Sequence, residues 1–257
     1  MKIIPGNDEI RAGDKISIIG AGGPMGMMHV IRNICQGVKG VSVFACDVDD
    51  NRLAALTRIA APLAKKNGVE YKAYNPANPR QKQARAGEKI AEAFGYTALM
   101  APIPALVAAS VHSAAERGLI NIFAGIPATV TGKIDLDKYI EKQLYFIGTS
   151  GSTLDDMKRM LAKAESGRLD TNLSVAAVCG LEGATKGIRA VENRSIAGKI
   201  IVYPACKGLG LVPLEKLNEK MPEVAKCLNN GLWTRAAEQK LLAQRQNGVS
   251  RSFFGAG

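Results

Sequence analysis

Over its first 150 residues the chain alternates short apolar runs with longer stretches of helical periodicity. Lys15–Ile19 is the first strand, and Gly23-Pro24-Met25-Gly26 then opens a helix through Met28, Val30, Ile31 and Ile34. Val41–Cys46 is a second strand ending at Asp47, and Asn51–Lys66 is a helix with Leu53, Leu56, Ile59 and Leu63 on one stripe. Val69–Tyr74 is a third strand. Asn75–Gln83, with two prolines, reads as a loop, and Ala84–Ala93 as a helix. Tyr96–Met100 is a fourth strand, ended by Ala101-Pro102-Ile103-Pro104, and Leu106–Arg117 a helix. Leu119–Gly125 and Tyr145–Gly148 complete six strands, after which Thr149-Ser150-Gly151-Ser152 caps a helix starting near Leu154. Strands separated by crossover helices predict an α/β fold: a Rossmann-type, doubly wound parallel sheet with helices on both faces.

The pattern changes after that sheet. Leu173–Cys179, a helix Leu181–Glu192 and Ala197–Pro204 form a helix flanked by strands, and the tail from Cys206 reads as helical. The expected organisation is a dinucleotide-type domain over 1–150, a return segment over 151–204, and a helical extension over 205–257 that serves packing or oligomerisation.

The first strand runs directly into Gly20-Ala21-Gly22-Gly23-Pro24-Met25-Gly26, and Asp47 follows 21 residues after Gly26. Glycines permit a tight turn and close approach of backbone to a pyrophosphate, which then faces a helix N-terminus. An acid at the end of the second strand accepts hydrogen bonds from the adenosine ribose. Strand, loop, helix, strand and acid in that order point to a nicotinamide dinucleotide, with NAD preferred because a carboxylate disfavours a 2′-phosphate. Asp47 has a second reading as a helix-entry cap. Arg52 either lies over the adenine, reaches a 2′-phosphate (admitting NADP), or is a solvated arginine on the helix face. Ala101, Pro102 and Ile103, and Gly125 and Ile126 after the next strand, let a cofactor cross the sheet edge or are ordinary turns. Thr149, Ser150 and Gly151 flank the nicotinamide or cap the next helix.

Composition narrows the rest. Hydrophobic residues are 47% and aromatics 5%, which suits strands buried on both faces by small aliphatics. No apolar run is long enough for a membrane helix, and the N-terminus is too short in its apolar part for a signal peptide, so a cytoplasmic protein is expected. Cys35, Cys46, Cys179, Cys206 and Cys227 are scattered, which argues against a disulfide framework or a structural zinc knuckle. His29 and His112 read as helix-surface or packing residues, and Asp155-Asp156 as first-turn acids rather than a catalytic pair. The net charge of +11 is spread along the chain without an aromatic-interleaved motif, so neither nucleic acid nor membrane is an expected partner.

Gly13-Asp14-Lys15, Gly23-Pro24-Met25-Gly26, Cys46-Asp47, Asn51-Arg52-Leu53, the Leu181–Arg189 helix and Gly198–Pro204 together resemble the medium-chain, zinc-type alcohol and polyol dehydrogenases over roughly residues 10–204. Ala101-Pro102-Ile103-Pro104 and Asn230-Gly231-Leu232-Trp233-Thr234 resemble the L-sorbose-1-phosphate reductase branch of that family. The resemblance implies NAD(P)-dependent hydride transfer on a polyol or sugar-phosphate substrate. In the family that step uses a zinc held by a separate catalytic domain.

There are two departures from the family. The usual loop is Gly-x-Gly-Pro-x-Gly, and this chain carries one more glycine. Only residues 1–14 precede the first strand, with no Gly-His-Glu motif or zinc cysteine cluster. The expectation is therefore the cofactor half of a larger enzyme, inactive alone and without zinc of its own. Thr171–Cys179 and Lys199–Tyr203 would lose strand partners and drive homo-oligomerisation. The alternative is a free-standing dinucleotide-binding module without catalysis.

Overall fold

The computed structural model describes residues 10–78, 93–148 and 151–252. Contacts divide the described chain into two compact units, one up to Leu169 and one from Asp170. This boundary differs from the expected breaks at 150 and 204, because the residues of 170–204 and of the tail share one core.

The first unit contains β1 (Lys15–Ile19), α1 (Pro24–Ile34), β2 (Ser42–Cys46), α2 (Asp50–Asn67), β3 (Glu70–Tyr74), β4 (Phe94–Leu99), α3 (Pro104–Ser113), β5 (Ala114–Ile122), α4 (Leu136–Glu141), β6 (Tyr145–Gly148) and α5 (Leu154–Glu165). The six strands form one parallel sheet in the order β3-β2-β1-β4-β5-β6, the expected doubly wound arrangement. The order reverses between β1 and β4, so right-handed crossovers place the helices of the two halves on opposite faces. Ile16, Ile18, Val43, Phe44, Ala45, Ala98, Leu99 and Ile120 are buried along the central strands.

Several elements differ from the pattern reading. On α1 the buried face is Gly26, Met27, Val30, Ile31 and Ile34, with Met28 turned outward. On α2 it is Leu53, Leu56, Ala60 and Ala64 rather than Ile59 and Leu63, since the helix lays its small residues against the sheet. The helix expected to reach Arg117 stops at Ser113, and Ala114 already pairs with Phe94 in β5. Lys142 closes that junction: its Nζ donates to Val111 O (3.3 Å), His112 O (2.6 Å) and Ala114 O (2.8 Å). The cap of α5 is Thr153, in a reciprocal box with Asp156, rather than residues 149–152. The helix expected over 84–93 falls largely outside the described residues, as do Thr149 and Ser150.

No residue of α5 is buried, and Leu154, Met157 and Leu161 form an apolar stripe, each more than half exposed. The second unit pairs β7 (Val175–Cys179) in parallel with β8 (Lys199–Val202) and antiparallel with β9 (Val212–Pro213). Thus β7 is paired on both sides, contrary to the expected loss of partners, and β8 lies at a sheet edge. Between β7 and β8 runs α6 (Leu181–Glu192). The tail adds the short α7 (Leu217–Lys220) and α8 (Pro222–Ala225) before α9 (Arg235–Ser252). Trp233, Tyr203, Leu217 and Leu241 are at the centre of this unit's core.

Candidate functional site

At the carboxyl end of β1 the chain turns sharply. The N–H groups of Gly20 and Ala21 both donate to Cys46 O, at 2.8 and 2.9 Å, which ties the loop to the end of β2. Gly20 takes φ +82°, a left-handed conformation that favours glycine. A Cβ at Gly22 would lie 2.6 Å from Arg52 Cβ and 3.0 Å from Asp47 Oδ2, and a Cβ at Gly26 would collide with Gly20 O. Gly23 differs: a Cβ there would meet nothing nearer than Gly20 O at 3.8 Å. Close packing therefore uses Gly20, Gly22 and Gly26. The additional glycine, Gly23, is the N-cap of α1, with no side chain capping the helix and Pro24 in its first turn. Met25 and Met28 are exposed on the opening turns of the helix.

Asp47 is half-buried where β2 ends. Its Oδ2 accepts the Gly22 N–H at 2.8 Å and its Oδ1 accepts the Asp49 N–H at 3.1 Å. The helix cap is a different residue: Asp49 Oδ1 accepts from Asn51 N at 3.0 Å and Arg52 N at 3.1 Å. That assignment leaves Asp47 facing the glycine loop. Arg52 is not a solvated helix-face arginine, because its side chain is only 16% exposed, with Nε 3.5 Å from Asp49 Oδ2 and its stem over Gly22.

The ends of β4 and β5 complete the edge. Ile103 N donates to Ala101 O at 2.9 Å, so Ala101-Pro102-Ile103 is a tight turn that leads into α3, with Ile103 exposed. Phe123 and Ala124 both donate to Leu99 O, and Gly125 follows with open space around it. Ile126 packs partly into the core between β4, β5 and α3. Gly22, Gly23, Pro24, Met25, Asp47 and Arg52 thus share one corner, with Ala101–Ile103 and Gly125–Ile126 on the adjoining strand ends. Ser150 lies outside the described residues.

The pattern reading missed two residues here. Val48, directly after the acid, is 70% exposed at the carboxyl edge, and the signal for it was an apolar residue next to a strand-end carboxylate. Asn75 reaches back from β3 to the turn after β2. Behind the loop, His29 packs edge-on against Phe123 with ring centroids 4.8 Å apart, and burial together with the Arg32 charge lowers its pKa to about 4. Asp156 belongs to the α5 cap, where hydrogen bonds from Thr153 hold its carboxyl below the usual range. Among the described residues no three of His, Cys, Asp and Glu come together as a metal site, and no helix is long and apolar enough to cross a membrane.

No family model matches the chain. It is 27% identical over 249 residues to the uncharacterized protein YggP of Escherichia coli, and 26% identical over 249 residues to mannitol-1-phosphate 5-dehydrogenase of Aliivibrio fischeri. Both matches cover 91% of this chain and 57% of the relative. L-sorbose 1-phosphate reductase of Klebsiella pneumoniae is 24% identical over 235 residues, covering 90% of this chain and 55% of the relative. Among solved structures, 2R,3R-butanediol dehydrogenase from Bacillus subtilis superposes with a TM-score of 0.61 at 17% identity, over 76% of this chain and 52% of that one. An Escherichia coli alcohol dehydrogenase solved with NADH superposes with a TM-score of 0.57 at 17% identity, over 71% and 49%. Benzyl alcohol dehydrogenase from Acinetobacter calcoaceticus also shares the fold, with a TM-score of 0.58 at 16% identity, over 76% of this chain and 50% of that one. It spans about half the length of the curated relatives it matches.

Proposed function

We propose that this chain binds NAD(H) and is the cofactor-binding half of a polyol or sugar-phosphate dehydrogenase. The observation that carries the reading is the 2.8 Å hydrogen bond between Gly22 N–H and Asp47 Oδ2. It fixes the strand-end carboxylate against the glycine loop while Asp49 takes over the helix cap. In this reading Gly22, Gly23, Pro24 and Met25 face the pyrophosphate, Asp47 and Arg52 the adenosine ribose, and Val48 the adenine. Ala101, Pro102, Ile103, Gly125 and Ile126 border the path toward the nicotinamide, and the remaining candidate, Ser150, lies outside the described residues. The bound dinucleotide supplies a hydride carrier. This chain's residues orient it and, through Asp47, repel a 2′-phosphate, so NAD is favoured over NADP.

The similarity to mannitol-1-phosphate 5-dehydrogenase and L-sorbose 1-phosphate reductase supports a phosphorylated polyol or sugar as the substrate class. The described residues bring no three of His, Cys, Asp and Glu together and so do not fit a zinc site. The chain alone is expected to bind cofactor without turnover, in the cytoplasm, and zinc-dependent dehydrogenase activity of the isolated chain would overturn that. The homo-oligomer expected from the sequence is placed at the open sheet edge of β8, Lys199–Val202. A strictly monomeric species in light scattering at high concentration would count against it.

The deciding test is a fluorescence titration with NADH and NADPH beside Asp47→Ala. Saturable NADH binding that weakens about tenfold or more in the variant supports the reading, since a charge-assisted hydrogen bond contributes about 1.5–3 kcal/mol. Binding of neither dinucleotide, or binding indifferent to Asp47, overturns it.

A further inference from the structure

Asn75, the first residue after β3, is 5% exposed and far more engaged than a loop residue requires. Its Nδ2 donates to Val48 O at 2.9 Å and to Asp50 Oδ1 at 3.0 Å. Its Oδ1 accepts the Ala77 N–H at 2.8 Å. One side-chain amide therefore joins the end of β3 to Asp47–Asp50, the turn that leads β2 into α2. The Asp47 carboxylate that meets Gly22 is carried on this turn. A backbone bond from the turn to β3 is a long one, Asp47 N to Tyr74 O at 3.3 Å.

We propose that Asn75 is a positioning residue that sets where the Asp47 carboxylate stands relative to the adenosine ribose, and with it the preference for NAD(H) over NADP(H). The proposal rests on the reading of Asp47 given above. An asparagine suits the role because its amide presents two donors and an acceptor in one plane, and here it spends them on a carbonyl, a carboxylate and a backbone N–H. Near-complete burial makes each lost partner costly, so the turn shifts when the amide is removed. The shift acts oppositely on the two cofactors. NADH loses hydrogen bonds to a displaced carboxylate, whereas NADPH is relieved of charge repulsion at its 2′-phosphate. A general loosening of the fold would weaken both together, and that difference makes the ratio of the two dissociation constants the telling quantity.

The experiment titrates wild type, Asn75→Ala, Asn75→Asp, and Asn75→Asp combined with Asp50→Asn, each with NADH and NADPH and each with a thermal melt. For Asn75→Ala the expected result is NADH binding weakened about tenfold with NADPH within about twofold, so that the preference collapses. Asn75→Asp sets two carboxylates facing each other. Adding Asp50→Asn restores one hydrogen bond across the pair with donor and acceptor exchanged, and part of the preference returns. If Asn75→Ala does not fold, that rescue carries the test. An unchanged NADPH-to-NADH ratio, whether both affinities hold or both fall in proportion, overturns the proposal, as does absence of rescue in the double variant. The underlying reading fails in a separate way, when wild type binds no NADH or binds it indifferently to Asp47→Ala.

Discussion

At Gly23 a methyl group fits, whereas at Gly26 it collides with the backbone carbonyl of Gly20, although both glycines belong to the same seven-residue loop. Sterics within the protein thus account for Gly26 and leave Gly23 to be explained by something that approaches from outside. Gly26→Ala is expected to force α1 off the loop and cost several kcal/mol of stability, in the range of severe core overpacking. Gly23→Ala, at φ −79°, is expected to change stability by no more than about 0.5 kcal/mol while weakening NADH binding. Urea denaturation and cofactor titration on the same two proteins separate these effects, and unweakened NADH binding in Gly23→Ala would remove the pyrophosphate from that position. His29 makes a second case at this scale. Its folded pKa of about 4 lies below the ordinary 6.5, because burial and Arg32 disfavour the imidazolium. The unfolded chain therefore binds the extra proton first. Stability from this group is complete above about pH 6.5 and declines as pH falls toward about 4, by about 3 kcal/mol in total. Comparing unfolding free energies of wild type and His29→Phe across that window checks it, and the variant should lack this part of the acid slope.

Where α3 meets β5 there is no connecting loop, and three carbonyl oxygens at that junction converge on the ammonium of Lys142, the residue that caps the end of α4. A cation at a helix C-terminus complements its dipole as well as its unpaired carbonyls. Lys142→Met is expected to cost about 1–3 kcal/mol, and Lys142→Arg to recover little, because a planar guanidinium does not match three oxygens around one nitrogen. Equilibrium denaturation of the two variants reads this directly. The same junction shows why the element boundaries were only partly legible in the chain. Leu106–Ser113 continues a helical pattern with no glycine or proline until Gly118, and the residue that ends the helix lies about 30 positions later, so no local signal marks the stop. The central strands were legible because each is a short apolar run bounded by turn residues. Of the candidate site, the glycine loop and the strand-end position of Asp47 were legible, since their spacing follows from a strand–turn–helix unit. The places of Val48 and Asn75 beside it were not, because they depend on the parallel register that sets Cys46 beside Tyr74 and brings two strand ends together.

The whole molecule carries separate hydrophobic cores in its two units, and the single tryptophan belongs to the second. Trp233 is 2% exposed among Leu217, Leu241 and Tyr203, and the Tyr203 hydroxyl donates to Glu238 Oε1 at 2.9 Å, which ties α9 to the strand end. Every residue assigned to the dinucleotide lies in the first unit. The core of the second unit is built from residues between Val175 and Leu242, none of them assigned to the dinucleotide, and can therefore be weakened without changing a site residue. Trp233→Ala is expected to remove about 3–5 kcal/mol from the second unit, as large-to-small changes of a buried aromatic do, and to leave the NADH dissociation constant within about twofold of wild type. Far-UV circular dichroism in urea follows the first quantity, and a fluorescence titration in native buffer the second. A dissociation constant that rises in step with the lost stability would mean that the second unit helps to shape the loop at Gly20–Gly26. The cofactor site would then be a property of the whole chain rather than of its six-stranded sheet.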